Sequence, residues 1–255
     1  MNPCFSKDGT PIAFDQLGQG PPLILVLGAF NDRRTGAALA QRLSSRFCVF
    51  NYDRRGRGQS GDAAQSGANP YDLERELDDL EALIAAAGGS ASVCGYSSGA
   101  ALALLAAARG ARITRLALYE LPPGQSPAHP AELASLIAAQ RRGDAVEYFQ
   151  RHVVGIPEPV VVRFRQAPFR PALEAMAHTL VYDAQLVASD GVTPALLAQI
   201  QTPTLAIAGS ESPQALREAT EAAARALPNG RALSLPGATH DLDPELLAPA
   251  LEGFF

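Results

Sequence analysis

Ser97 stands in Gly95-Tyr96-Ser97-Ser98-Gly99, and His240 in Gly237-Ala238-Thr239-His240-Asp241. A serine hydroxyl is a weak nucleophile at neutral pH until a positioned base takes its proton, and imidazole is the side chain best suited to that work. A G-x-S-x-G pentapeptide gains meaning from its neighbours. Here it follows the β-prone stretch Ala91-Ser92-Val93-Cys94 and opens the apolar run Ala100 to Ala108. Strand, tight turn and helix in that order predict a nucleophile elbow, with the serine at a strained apex and small residues on both sides. The turn also sets Ser97 at a helix N-terminus, where backbone N–H groups can face developing negative charge.

His240 follows the last predicted strand, Arg231 to Leu235, and precedes the last predicted helix, Leu246 to Phe255. In a doubly wound sheet that loop falls on the carboxyl edge of the strands, the rim that also carries Ser97. His129, His152 and His178 fall in a helical stretch with no such placement; surface positions are expected for His152 and His178, with lining a pocket as the alternative. His240 is therefore the predicted general base, and then general acid, for Ser97.

The elements that must position this pair read as a strand–helix alternation. A hairpin is predicted around Lys7-Asp8-Gly9-Thr10, with Ile12 to Asp15 as its second arm. The run Leu23 to Leu27 is continuously apolar, as a strand covered on both faces must be. Asn31 or Asp32 caps a helix to about Ser44, and Phe47 to Tyr52 is the next strand. After the glycine-rich loop Asp53 to Gly61, residues Tyr71 to Ala87 form an acidic amphipathic helix with Leu73, Leu77, Leu80 and Ile84 on one face. Strands follow at Ile113–Leu118, Thr204–Ala208 and Arg231–Leu235, with a helix at Pro213–Leu227. Such alternation implies right-handed crossovers and a parallel sheet between two helical layers. Pro122-Pro123-Gly124 interrupts the pattern, and helices are predicted at Ala131–Gln140, Asp144–His152 and Pro171–Ala188 before Pro194 begins the return. The apolar residues Val160 to Val162, Phe164, Phe169, Leu173, Met176 and Leu180 are expected to form the core of this stretch.

Composition narrows the function further. The 255 residues suffice for one α/β domain with an insert, and 47% hydrophobic against 18% charged residues is a globular balance. A formal charge of −5 and no lysine-rich face speak against nucleic acid as a partner. No apolar run approaches the roughly 20 residues that span a bilayer, so no membrane partner is expected. The first nine residues have neither a basic nor an apolar region of a secretory leader. Three cysteines cannot all pair, and Cys48 and Cys94 lie in predicted core strands, which predicts a reducing cytoplasmic setting. The four histidines are scattered singly with no zinc-site spacing, so neither metal nor cofactor is expected. Gly56-Arg57-Gly58-Gln59-Ser60-Gly61 spells G-x-G-x-x-G. It runs on into Asp62 to Pro70, read as loop, where a dinucleotide fingerprint would open a helix.

Taken together, these residues resemble the α/β-hydrolase family. The likeness runs through the Leu23–Gly28 strand and turn, the elbow and the His240 loop. It includes Asp53-Arg54-Arg55-Gly56-Arg57-Gly58-Gln59-Ser60, which matches the family's D-x-R-G-x-G-x-S loop in full. The resemblance implies a doubly wound, mainly parallel eight-stranded sheet, with residues 1–121 and 194–255 as the core. It implies a small helical cap, residues 122–193, inserted after the sixth strand. It also implies an oxyanion hole from the backbone N–H groups of Ala29 and Ser98, although Leu27-Gly28 stands where the family usually has His-Gly. The triad acid has two candidates. Glu120, directly after the sixth strand, is favoured because it ends a buried strand on the catalytic rim; Glu211, after the seventh, is the alternative. Asp241 and Asp243 are expected to cap the last helix.

The expected activity is that of a cofactor-independent, carboxylesterase-like serine hydrolase. It would act on a small ester, thioester or lactone with an apolar moiety, through an acyl-enzyme. The same triad serves cofactor-free haloperoxidases (perhydrolases) and C–C hydrolases, which are alternatives within enzymes. A ligand-binding, receptor-like module retaining the fold is the alternative outside them.

Overall fold

The computed structural model describes residues 4–62, 71–123, 129–188 and 192–255. The loop reading of residues 63–70 and the break at Gly124 lie outside these. Among the described residues, a seven-stranded sheet organises the fold. Its strands are β3 (Phe14–Leu17), β4 (Pro22–Val26), β5 (Cys48–Tyr52), β6 (Ala91–Tyr96), β7 (Ile113–Tyr119), β8 (Thr204–Gly209) and β9 (Gly230–Leu235), in the order β3-β5-β4-β6-β7-β8-β9. β3 runs antiparallel to β5, and every other neighbouring pair is parallel.

The doubly wound, mainly parallel architecture matches the expectation; the strand count does not. The predicted hairpin divides at Ala13. Cys4–Phe5 (β1) and Pro11–Ile12 (β2) pair only with each other, and Phe14 onward joins the main sheet through β5. Two-residue strands offer few ladder bonds, and Pro11 has no N–H to give. Ala13 is instead tied sideways: its N–H donates to Ser60 Oγ at 2.9 Å, and its carbonyl accepts from Asp53 N at 2.9 Å.

Both faces of the sheet are covered, which is why the central strand β4 is apolar throughout and buried from Leu23 to Val26. In β4, Ile24 and Val26 enter one hydrophobic cluster, with Leu77, Leu80 and Leu83 of α2 (Leu73–Ala86) and Ala100 to Ala106 of α3 (Ser98–Ala108). Leu23 and Leu25 enter the other, with Leu39 and Leu43 of α1 (Arg33–Leu43) and Leu247 and Leu251 of the C-terminal helix Pro244–Phe254. Helix α3 is apolar all round because it lies at the centre of the fold, as its fully buried Leu102, Ala103 and Leu104 show. Asp32 caps α1, its carboxylate accepting from Arg34 N at 2.9 Å, and Asp243 caps the C-terminal helix.

Among the described residues, six α-helices and no strand lie between β7 and β8. They are α4 (Pro130–Ala138), α5 (Arg142–Phe149), α6 (Glu158–Phe164), α7 (Arg170–Ala175), α8 (Leu180–Ala188) and α9 (Pro194–Leu197). The predicted Pro171–Ala188 helix is broken by a 3-10 turn at Ala177–Thr179, and α5 continues as a π-helical turn to Val154. Leu133, Val146, Phe149, Ala177, Leu180 and Ala184 form a third cluster, against which Ala29 and Phe30 pack. Two expectations for this stretch fail. Val162 is exposed because α6 buries only Val161, Phe169 is exposed at the N-cap of α7, and His178 is buried beside Asp62 rather than on the surface. No helix among the described residues is long and apolar enough to cross a membrane.

Candidate active site

Ser97 occupies the turn between β6 and α3 with φ 53° and ψ −125°, a conformation that side-chain-bearing residues rarely adopt. Two glycines make the turn possible. A Cβ on Gly99 would lie 2.1 Å from the carbonyl oxygen of Val26, and one on Gly28 would lie 2.8 Å from Ser97 Cβ. The strand β4 and its following turn therefore press directly against the elbow, which brings the Gly28–Ala29 peptide beside Ser97. Ser98 and Gly99 open α3, where N–H groups have no intrahelical partner. Cys94, inside β6, is no rival nucleophile, because burial pushes its thiol up to about 12.

Glu120 follows β7 directly and turns its backbone to φ 58°. Its side chain is fully buried. Oε1 accepts from Gly209 N at 2.6 Å and from Ser212 Oγ at 2.8 Å, while Oε2 faces His240 Nδ1 at 3.1 Å. A carboxylate in that position keeps the proton on Nδ1 and leaves Nε2 as the basic nitrogen. Glu211 is elsewhere: it is exposed, and its backbone N–H bonds Ala238 O at 3.0 Å. Of the two candidate acids, the fold brings Glu120 to His240 and leaves Glu211 in solvent.

His240 is held from below by two tyrosines. Tyr96 Oη donates to His240 O at 2.5 Å, and its ring lies 5.2 Å from the imidazole, centroid to centroid. Tyr119 Oη donates to Thr239 O at 2.7 Å and to Asp241 O at 2.9 Å. Burial raises the pKa of both phenols, so they remain donors. These residues immediately precede Ser97 and Glu120, and Ser97 N bonds Tyr119 O at 2.9 Å. Three residues far apart in sequence are thus linked through adjacent strand ends. Of the five non-glycine residues with positive φ among those described, Ser97 and Glu120 belong to this group.

Beneath the elbow lies a buried ionic cluster. Arg54 forms a two-pronged pair with Glu76 of α2, at 2.7 Å for each bond. Arg54 and Arg57 both reach Asp183 of α8, at 2.9 and 2.6 Å. Desolvating so many charges costs several kcal/mol per ion, which offsets much of their mutual attraction. Arg33 is consumed in pairs with Asp15 and Asp53, at 3.1 and 2.6 Å, and so is not free to meet an anionic substrate. Sequence reasoning missed Glu76 and Asp183. The signal for Glu76 was available: it falls on the apolar stripe of α2, where an acid must find a cation. Asp183 gave none beyond an acid among apolar helix residues.

The alpha/beta hydrolase family profile matches residues 23–250. The chain belongs to the alpha/beta hydrolase family. Among solved structures it is similar to an alpha/beta hydrolase from Sphaerobacter thermophilus, at 47% identity and TM-score 0.91, with 100% of each chain covered. A hydrolase from Pseudomonas aeruginosa is 26% identical with TM-score 0.75, covering 99% of this chain and 95% of that one. The enol-lactonase from Burkholderia xenovorans shares the fold at 23% identity and TM-score 0.70, with 97% and 95% covered. None of the curated proteins matches the chain. Family membership and these neighbours support a hydrolase acting on a small molecule.

Proposed function

We propose that this alpha/beta hydrolase is a cofactor-independent serine hydrolase, cleaving a small carboxylic ester, thioester or lactone through an acyl-enzyme on Ser97. The observation that carries the reading is the 3.1 Å contact of Glu120 Oε2 with His240 Nδ1, on the rim where Ser97 takes its strained apex. Ser97 Oγ attacks the carbonyl carbon as its proton passes to His240 Nε2. Glu120 stabilises the imidazolium without taking the proton. The N–H groups of Ala29 and Ser98 receive the developing oxyanion. Collapse breaks the bond to the leaving group, which takes the proton from His240. Water then attacks the acyl-enzyme by the same route, releasing the acid and restoring Ser97.

In this reading residues 122–193 act as a cap over the core of residues 1–121 and 194–255. Phe30 meets Phe149 of α5 edge-on, 5.3 Å between centroids, which sets an apolar wall beside Ala29 and favours a substrate with an apolar group. The free thiols of Cys4, Cys48 and Cys94 fit a reducing cytoplasm. Initial rates on p-nitrophenyl acetate and butyrate test the assignment. The wild-type protein turns both over, and Ser97→Ala falls to the rate in buffer. Undiminished turnover by Ser97→Ala would remove the serine from the mechanism.

A further inference from the structure

We propose that Asp183, carried on α8 between β7 and β8, is the positioning residue that sets both halves of the oxyanion hole. The inference rests on the serine-hydrolase reading above and names a residue that reading does not use. Asp183 is fully buried. Its Oδ1 accepts from Ser98 Oγ at 2.7 Å and from Arg54 Nη1 at 2.9 Å, and its Oδ2 accepts from Arg57 Nη2 at 2.6 Å. Burial alone would raise its pKa, but Arg57 and Arg54 outweigh this and hold the carboxyl below its ordinary range.

The two arginines pass this anchoring on to the turn after β4. Arg57 Nη1 donates to Gly28 O at 2.6 Å, and Arg54 Nη1 to Leu27 O at 3.2 Å. Gly28 C=O and Ala29 N–H belong to one planar peptide unit, in which a trans bond points them in opposite directions. A guanidinium clamped on the carbonyl therefore fixes the direction of the Ala29 N–H. It also polarises that amide into a stronger donor. The other donor, Ser98 N–H, belongs to the residue whose hydroxyl Asp183 holds directly. One carboxylate thus ties together the two backbone groups assigned to the oxyanion.

The clamp depends on Asp183. Arg54 has a second anchor in Glu76, but among the described residues Arg57 has none of that kind, and its Nε is buried there without a hydrogen-bond partner. In this chain, whose turn carries Leu27 in place of the family's histidine, a buried ionic clamp does the orienting. Because the carboxylate comes from α8, the same clamp joins the inserted helices to the catalytic rim.

The test compares wild type, Asp183→Asn and Ser98→Ala by kcat and KM on p-nitrophenyl butyrate and by the affinity for n-butylboronic acid, a mimic of the tetrahedral adduct. Misaimed donors lower kcat while leaving substrate binding nearly intact. Asp183→Asn is expected to lose about 100-fold in kcat. Ser98→Ala keeps its backbone N–H and is expected to lose roughly 3- to 10-fold, within that bound. KM stays within about threefold, and boronic acid affinity falls in parallel with kcat/KM, as a transition-state effect requires. A merely structural role would lower melting temperature without that parallel. If Asp183→Asn does not fold, Ser98→Ala decides alone. Wild-type kcat and boronic acid affinity in Ser98→Ala, or in a folded Asp183→Asn, overturn the inference while leaving the serine mechanism standing. A wild-type protein that neither cleaves the ester nor binds the boronic acid overturns both.

Discussion

Two turns leave the same edge of the sheet side by side, one after β7 and one after β8, and each carries a glutamate. Glu120 is fully buried, with a backbone φ of 58° that swings its carboxylate across to the next loop. Gly209 N, Ser212 Oγ and His240 Nδ1 complete its contacts. Glu211 is exposed at the start of the β8 turn. The β8 turn nevertheless supplies two of the groups that hold Glu120, so the second turn serves the first. What separates a structurally committed carboxylate from a solvated one is therefore backbone conformation and burial. Position on the rim is common to both.

The largest effect expected from this contrast is kinetic. Glu120→Gln keeps an acceptor oxygen but presents an amide that can favour the wrong imidazole tautomer, and turnover should fall by about 10³- to 10⁴-fold. Glu211→Gln should leave kcat unchanged. Steady-state rates on p-nitrophenyl butyrate decide the matter, and a large loss in Glu211→Gln with activity retained in Glu120→Gln would exchange the two roles. Tyr119→Phe probes the loop that brings His240 to Glu120. It removes the hydroxyl shared by Thr239 O and Asp241 O, and should cost about 1 kcal/mol in thermal unfolding and roughly tenfold in kcat. An unchanged rate would mean the loop is held without this tether.

A third carboxylate sharpens the contrast with the smallest effect. Glu147 is also buried, but its partners are cations: Arg165 foremost, then Arg151 against the opposing cost of burial. Together they bring its pKa down from 4.5 to about 2. With the folded value below the unfolded one, the unfolded chain takes up the proton first as the solution is acidified. The contribution is therefore present above about pH 4.5 and is lost as pH falls toward 2. Chemical denaturation across that window should show Glu147→Gln less acid-sensitive than wild type, with esterase rates at pH 7 alike.

Much of the site was legible because its signals are local. The glycines around Ser97, the position of His240 after the last strand and the apolar character of β4 each carry a short-range physical requirement. The strand count misread the hairpin because periodicity cannot show where a ladder ends at Ala13. Val162 does not join the core because an apolar run on a short helix does not reveal which side faces inward, and Phe169 does not because it falls at a helix cap. Preference for Glu120 rested on its place at a buried strand's end; the φ of 58° and the bond from Gly209 could come only from the fold. The Asp183 clamp was invisible for a related reason. Its partners Ser98, Arg54 and Arg57 lie 85, 129 and 126 residues away in the chain.

The most direct test of the account is reaction of the intact protein with a fluorophosphonate, followed by mass mapping of the modified peptide. A single adduct on Ser97 is expected, formed rapidly by wild type, slowed in Glu120→Gln and absent in Ser97→Ala. A wild-type protein that remains unmodified, or that carries its adduct on another residue, would contradict it.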